Sequence, residues 1–500
     1  MYLWLLTIEY AGRSWRWASA PCSPMDGASA VPHYGGLDID DVPEAADILG
    51  VAVEPRSIPL SLQWPIPGVA ELVSQGHEIE EATAELSRWR EGDTYGQREV
   101  MIEGYLDRPI YGAREEPVTC SLQEEPWQDS SLIPDVLSVV DIESWPSADP
   151  SMLGRTYPLP FGLPGHITGR TAIARDIPGT MAPRVGVDLV LLSGWRVLAT
   201  SVWVFDSTGS YASVAVTYQT DGRGRYCAVA DISASLLTLG EAEYGIAWPT
   251  AGGIAAPDGG ELQRAGDLLL YLLSWTSLRI DRHQIGQVAD TLNSIVVAGA
   301  IESRCEAWQW VQDHLLPLLP VSQVASGSGL RLIPWHLDRP ASHAVDHLRA
   351  GHDCSRLTSI DTDTDEIANE CTVRFALNDS AGTLENSVTV HGGTASSPAE
   401  HVIQSAILSR QRRGSIPTTP IDADIIASER AAIQVAIGQV TARARAPRTI
   451  SYRRHVGRLL DIGALVLVTD PDVSLSSARA LVQERIRGLT ESVVYALALL

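Results

Sequence analysis

Apolar and polar residues alternate along most of this chain, and in two places the period lengthens from two residues to between three and four. Val100, Ile102 and Leu106 alternate with Met101, Glu103 and Tyr105, and Val118, Cys120 and Leu122 alternate with Thr119, Ser121 and Gln123. A period of two puts successive side chains on opposite faces of a strand, so both stretches are half-buried strands. Residues 3–9 are β-rich, Ala11 and Gly12 signal a turn, and 14–18 alternate bulky with polar, which predicts a hairpin. The stretch 79–89 fits both periods; its strand neighbours decide for a strand. A second β-rich region runs over 187–229, with 197–205 and 211–218 as its clearest strands and a turn at 221–224.

The longer period begins with Leu262, Ala265, Leu269, Leu272, Leu273 and Thr276, which share one helical stripe. Ile285, Val288, Ala289, Leu292, Ile295 and Val296 form another, and Cys305, Trp308, Val311 and Leu315 a third, stopped by Pro317. A strand at 330–334 closes this helical unit. Alternation returns at 371–375 and 387–391, and a helix over 425–444 ends before Pro447. The apolar stretches 465–469, 481–486 and 493–499 are strands near one another in sequence. Closing them into a barrel removes exposed edges, so a barrel is expected there.

Length and composition narrow the class. Five hundred residues exceed what one core organises, so three or four domains are expected. Forty-one glycines and thirty prolines suit many short strands joined by turns. No window of about 18 uninterrupted apolar residues exists, so no transmembrane segment is expected. The apolar start, residues 1–6, is too short and lacks the basic flank of a signal peptide. Six scattered cysteines without a CxxC pair read as free thiols made in a reducing cytoplasm.

Charge bears on partners. The formal net charge of −24 repels phosphate and argues against sequence-specific nucleic-acid binding. All 37 basic residues are arginines, and ten of them crowd into 410–458, where acids are few. A basic segment in an acidic chain reads either as a contact with an acidic neighbour, such as another copy of itself, or equally as a solvated arginine-rich face; Arg410, Arg412, Arg413, Arg453 and Arg454 are the interface candidates.

Candidate chemistry is sparse. His336, His343, His347, His352 and Cys354 form the best metal set, and His343 and His347 stand four apart, one turn of a helix. Arg339 and Pro340 precede them and no helical stripe supports the region, so a polar surface loop is the stronger reading. Asp361-Thr-Asp-Thr-Asp-Glu imitates a calcium loop but has Glu366 where glycine is needed and Thr372 where a bidentate glutamate is needed. Ser326-Gly-Ser-Gly is not a nucleophile elbow. Carboxylates at 38, 40 and 41, or 78, 80 and 81, read as solvated surface, since sequence does not place them ~5–9 Å apart. Neither a P-loop nor a dinucleotide fingerprint occurs. Of fourteen tryptophans, Trp308 lies on a helical stripe and belongs to a core; Trp4, Trp15 and Trp17 belong to core or a subunit contact. No catalytic residue and no cofactor is expected.

The order of these elements resembles the tail-hub, or baseplate-hub, proteins of long-tailed phages. Ser409-Arg-Gln-Arg-Arg-Gly leads through Thr418-Thr-Pro-Ile-Asp-Ala-Asp to a helix near Ser428, then Tyr452-Arg-Arg, Leu459-Leu-Asp-Ile-Gly-Ala-Leu-Val-Leu-Val-Thr-Asp and closing strands through Val482 and Val494. Ala464 departs from the acid that often follows the glycine of that run. Ile367-Ala-Asn-Glu-Cys-Thr-Val-Arg-Phe looks like the strand opening the second hub barrel, Arg264-Ala-Gly-Asp-Leu with Arg279-Ile-Asp like the inserted helical unit, and Tyr157-Pro-Leu-Pro-Phe-Gly like the connector.

The resemblance implies an α+β, β-dominated chain. It has a first barrel over 1–125, a Pro/Gly-rich connector over 126–185, a β-rich domain over 186–260, an inserted α-rich unit over 261–345 and a second barrel over 346–500. It implies a non-enzymatic homotrimer whose paired barrels form a pseudo-sixfold ring in the virion tail, assembled in the host cytoplasm. Its partners would be the distal tail protein, the tape measure and the tail tip or fibre proteins, with the genome crossing the lumen. The rival reading is a receptor- or polysaccharide-binding tail protein that depolymerises its ligand.

Overall fold

A computed structural model of the chain describes residues 1–10, 12–40, 42–45, 56–63, 82–110, 117–124, 131–134, 138–146, 148, 150, 153–162, 180–181, 189–205, 211–232, 245–247, 254, 262–278, 280–301, 303–319, 321–326, 329–334, 340–362, 367–378, 383–445, 448–455, 459–488 and 492–499. The fold is α+β and dominated by strands, as the alternation predicts.

The first strands are β1 (Tyr2–Tyr10), β2 (Arg13–Ala18), β3 (Leu37–Ile39), β4 (Val42–Ala45), β5 (Ser57–Leu62), β6 (Thr83–Arg90), β7 (Glu99–Ile110) and β8 (Val118–Glu124). Seven form one antiparallel sheet in the order β2-β1-β6-β7-β8-β5-β3. The ambiguous stretch near residue 85 is therefore the strand β6. Tyr34 bonds to β2 through Ala18 N–H to its carbonyl (2.6 Å) and its own N–H to Arg16 O (2.9 Å), and three residues later Leu37 pairs with Leu62 of β5. One short piece of chain thus touches both edges and closes the sheet. Trp4, Leu6, Ile8, Trp15, Trp17, Leu86, Met101 and Leu106 fill the interior, while Leu3, Leu5 and Trp89 pack in a second cluster.

The central region contains β9 (Thr180–Met181), β10 (Leu189–Ser193), β11 (Ser201–Phe205), β12 (Tyr211–Thr220), β13 (Tyr226–Asp231) and β14 (Gly245–Ala247), ordered β9-β10-β13-β12-β11-β14. Helices α1 (Ala265–Leu273) and α2 (Arg282–Leu292) follow. They meet closely because residue 266 is glycine: a Cβ there would lie 1.9 Å from the Ala289 carbonyl oxygen. Asn293 clamps the start of α1, accepting from Asp267 N–H (3.0 Å) and donating to Asp267 Oδ1 (3.1 Å). The third expected helix is one α turn, α3 (Ala307–Trp310), continued as a π turn and a short 3-10 turn to Leu318. Pro317 removes a donor there, and the regular ladder stops. The hairpin β15 (Val321–Ser326) and β16 (Gly329–Pro334) completes this part.

The C-terminal strands are β17 (Asp346–Arg349), β18 (Cys354–Arg356), β19 (Asp361–Thr362), β20 (Glu370–Asn378), β21 (Thr383–His391), β22 (Glu400–Val402), β23 (Ile421–Ala423), β24 (Arg448–Arg454), β25 (Leu465–Asp470), β26 (Leu475–Arg487) and β27 (Val493–Leu499). Six run β17-β25-β26-β27-β24-β18, with β19 also on β24. The edges β17 and β18 are joined by a turn in which Gly351 N–H donates to Cys354 O (2.9 Å). Across that gap, buried Asp470 accepts from Tyr452 OH (3.0 Å) and Arg356 Nη1 (3.3 Å). Leu348, Ile450, Tyr452, Val466, Val468, Val482, Tyr495 and Leu497 fill one interior.

The motif 367–375 takes a place other than the one the resemblance implies. Its strand β20 leaves the barrel and opens a separate four-stranded sheet, β22-β21-β20-β23. Helix α4 (Gln404–Arg413) connects β22 to β23, and α5 (Glu429–Arg443) lies on the sheet with Ala432, Val435, Ala436 and Val440 buried. Ser428 caps α5, its Oγ accepting from Ala431 N–H (3.3 Å). Cys371, Val373 and Phe375 share a buried cluster with α1, α2, α3 and the central strands.

Candidate assembly site

The two barrel-like sheets meet through a borrowed strand. Strand β4, from the loop between β3 and β5 of the first sheet, pairs antiparallel with the end of β26, setting Val42 opposite Arg487 and Ala45 opposite Glu484. Val42 stays buried in the first interior while its backbone belongs to the second sheet. Pro43 has no N–H, so only its carbonyl needs a donor. Arg56 Nη1 supplies one at 3.4 Å.

Arg56 ties four elements at this joint. Its Nε and Nη2 donate to the two oxygens of buried Glu124 at 3.0 and 2.7 Å, and Nη2 also donates to Met101 O at 3.1 Å. Beside it, buried Arg487 at the end of β26 pairs with Glu99 at the start of β7. Arg88 lies 3.9 Å from the other Glu99 oxygen and covers the Tyr2 ring at 3.7 Å. A buried charge left without its partner costs about 3–5 kcal/mol, so the Arg487–Glu99 pair holds the end of β26 to the start of β7. No helical or strand period announces these pairs.

The five interface arginines divide. Arg410 turns inward, with Nη1 2.6 Å from Glu370 Oε2. Ser415 Oγ donates to that same oxygen, and these two contacts hold Glu370 below the usual carboxylate range. Arg454 is buried and paired with Asp346 at 2.8 Å. Arg412, Arg413 and Arg453 are exposed. The two exposed arginines of α4 sit beside Leu408, which is 63% exposed.

The histidines are not brought together as a helix would bring them. His343 is exposed in a 3-10 turn, His347 lies on β17 with Nε2 2.8 Å from Thr469 Oγ1, and His352 is exposed in the turn after it. Pro340 starts the 3-10 turn and β17 follows at once, so the four-residue spacing spans two elements. His336 and residues 363–366 lie outside the described residues. Among the described residues no group of three or more His, Cys, Asp or Glu side chains is gathered as a metal would require. All six cysteines are free, and burial pushes their thiols up, Cys120 to about 12 and Cys22, Cys227, Cys305 and Cys354 to about 11. Trp4, Trp15, Trp17 and Trp308 are core residues.

The described residues contain no helix long and apolar enough to cross a membrane. No protein-family model matches the chain, and no curated protein sequence matches it. The solved structures it is similar to include tail proteins. The tail protein from Neisseria meningitidis MC58 is 11% identical, with a TM-score of 0.37 over 99% of this chain and 96% of that one. The 43 kDa tail protein of prophage MuSo2 from Shewanella oneidensis is 9% identical, with a TM-score of 0.34 over 99% and 98%. Prophage tail protein gp18 from Listeria monocytogenes EGD-e is 10% identical, with a TM-score of 0.23 over 60% and 87%.

Proposed function

We infer that the chain is a structural hub at the distal end of a phage tail, located in the virion. Three copies form a ring that joins the sixfold tail tube to the tip or fibres. One observation carries this reading: the two barrels repeat a connectivity. In the first, consecutive strands β5, β6, β7 and β8 lie in the order β6-β7-β8-β5, and β3 adds to β5. In the second, consecutive strands β24, β25, β26 and β27 lie in the order β25-β26-β27-β24, and β18 and β19 add to β24. The central strands β7 and β26 are also the longest, at 12 and 13 residues.

Two like barrels per chain let a threefold ring present six similar units, which resolves a mismatch with a sixfold tube. The order of motifs in the sequence supports the assignment to tails. The acidic net charge suits a lumen that DNA must cross without being held. A distal tail protein, the tape measure and tip or fibre proteins are the partners this role requires. The role is non-enzymatic, and Trp4, Trp15, Trp17 and Trp308 serve buried cores, as a structural part requires.

Light scattering with negative-stain imaging of the purified chain tests the reading. A ring-shaped trimer with six lobes is expected at micromolar concentration. A monomer there would overturn it.

A further inference from the structure

The short piece of chain that closes the first sheet carries a buried histidine. Residues 19–36 link β2 to β3 and fold back on themselves. Val31 N–H donates to Pro24 O (2.8 Å), and Cys22 and His33 exchange both backbone bonds (3.3 and 2.8 Å). The next residue, Tyr34, makes the two bonds to β2 that shut the seam. A disturbance at His33 therefore acts on the closure itself.

His33 is 4% exposed. Its Nδ1 lies 3.0 Å from Val31 O, and because a carbonyl only accepts, Nδ1 carries the ring proton. Nε2 is then an acceptor, and it is buried without a partner. A neutral imidazole bears this at the cost of one unmade bond. An imidazolium there has a second N–H with no acceptor to receive it, in a place closed to water.

The charges facing the ring are also of the wrong sign. Arg16 of β2 and Arg98, at the end of the 3-10 turn Tyr95–Gln97, both oppose a positive charge on His33. Arg98 pairs with Glu85 of β6 at 2.8 Å and lies over the Tyr95 ring at 4.1 Å, and that ring stands 5.8 Å from the His33 ring. Glu85 and Asp26 act on Arg98 rather than on His33. Among the described residues Arg16 pairs with no carboxylate, and its Nε is buried without a partner too. Cys22, opposite His33, brings no negative charge, since burial and then Glu91 push its thiol up to about 11. Burial first, opposed by the Val31 bond and reinforced by Arg16 and Arg98, holds the His33 pKa below the usual 6.5.

We propose that residues 19–36 form an acid-sensitive latch: a proton on His33 Nε2 places an unpartnered cation beside Arg16 and Arg98 and releases the strap from β2, opening the first sheet. The sign follows from linkage. With the latch open the ring meets water and takes a proton more readily than with it shut. Closure is therefore fully favoured above the ordinary histidine range and weakens as pH falls through it. The device lies within one chain and is independent of any ring.

Hydrogen–deuterium exchange of the full-length chain at about pH 7.5 and about pH 5.5, corrected for intrinsic exchange rates, tests the latch. In wild type, protection of peptides covering 16–36 is expected to fall about tenfold or more on acidification, while peptides covering 475–487 keep theirs. His33→Gln, which keeps a donor for Val31 O but does not titrate, and His33→Phe should both abolish the fall. Arg16→Gln removes one facing cation without touching the ring and should make the fall smaller, so the test survives if neither ring variant folds. No fall in wild type, an equal fall in the His33 variants, or a fall in Arg16→Gln as large as in wild type overturns the latch.

Discussion

Arg487 and Glu99 form an ion pair between the two barrels although 388 residues separate them in the chain. Their environments are unequal: the Arg487 side chain is 4% exposed and that of Glu99 is 42% exposed. Glu99→Gln removes the negative charge opposite a buried guanidinium while keeping an acceptor, and is expected to cost about 1–3 kcal/mol. Arg487→Met removes the buried charge, leaves Glu99 to water and should cost less. Denaturant unfolding of both variants checks the order; equal losses would show that the pair does not work through burial.

Tyr452 and Asp470 make the comparable contact in the second barrel. Asp470 is buried and Tyr452 OH donates to it at 3.0 Å. Tyr452→Phe deletes one donor to a buried carboxylate while Arg356 remains. A loss of about 1–2 kcal/mol is expected, read as a lower urea midpoint with an unchanged slope.

Two helical glycines should respond oppositely to alanine. At Gly266 the added Cβ meets the Ala289 backbone oxygen at 1.9 Å, whereas at Gly286 nothing lies within 4 Å. Gly266→Ala forces α1 and α2 apart and should cost about 1–3 kcal/mol or more. Gly286→Ala should add up to about 1 kcal/mol through helix propensity. Thermal melts of the two variants decide whether space or backbone freedom governs each site.

His314 gives a pH signature. It stacks on Trp310 and lies 2.9 Å from Asp424 Oδ2, a bond that raises its pKa above the usual 6.5 despite burial. A raised folded pKa means the stabilisation is fully present below the unfolded value and fades as pH rises through the folded one. Wild type should therefore lose stability relative to Asp424→Asn on going from about pH 6 to pH 8. Parallel curves for the two proteins would exclude the bond.

Strand periods and helical stripes were legible because each depends on near neighbours in the chain. The stripe through Leu262, Ala265, Leu269 and Leu272 became α1, and the alternation at 118–123 became β8. Helix α4 was not legible: Arg410, Arg412 and Arg413 in its last turn dilute any apolar face, and only Ala406 is buried. The strand at 371–375 was recognisable as a strand, but alternation does not say which sheet it joins. The pairs Arg56–Glu124 and Arg487–Glu99 bridge distant parts of the chain, and no local pattern encodes them.

Strand β4 has a consequence for synthesis on the ribosome. The residues it pairs with, 484–487, are made about 440 positions later, roughly 20–90 s at ordinary elongation rates. During that interval the first barrel can form while the segment 42–45 has no strand to pair with and is bonded to water alone. Unpaired strand backbone of this kind invites pairing with other nascent chains. Pro43 shortens the row of donors on offer, so the residue that faces Ile486 in the finished sheet also guards the unfinished one against premature association.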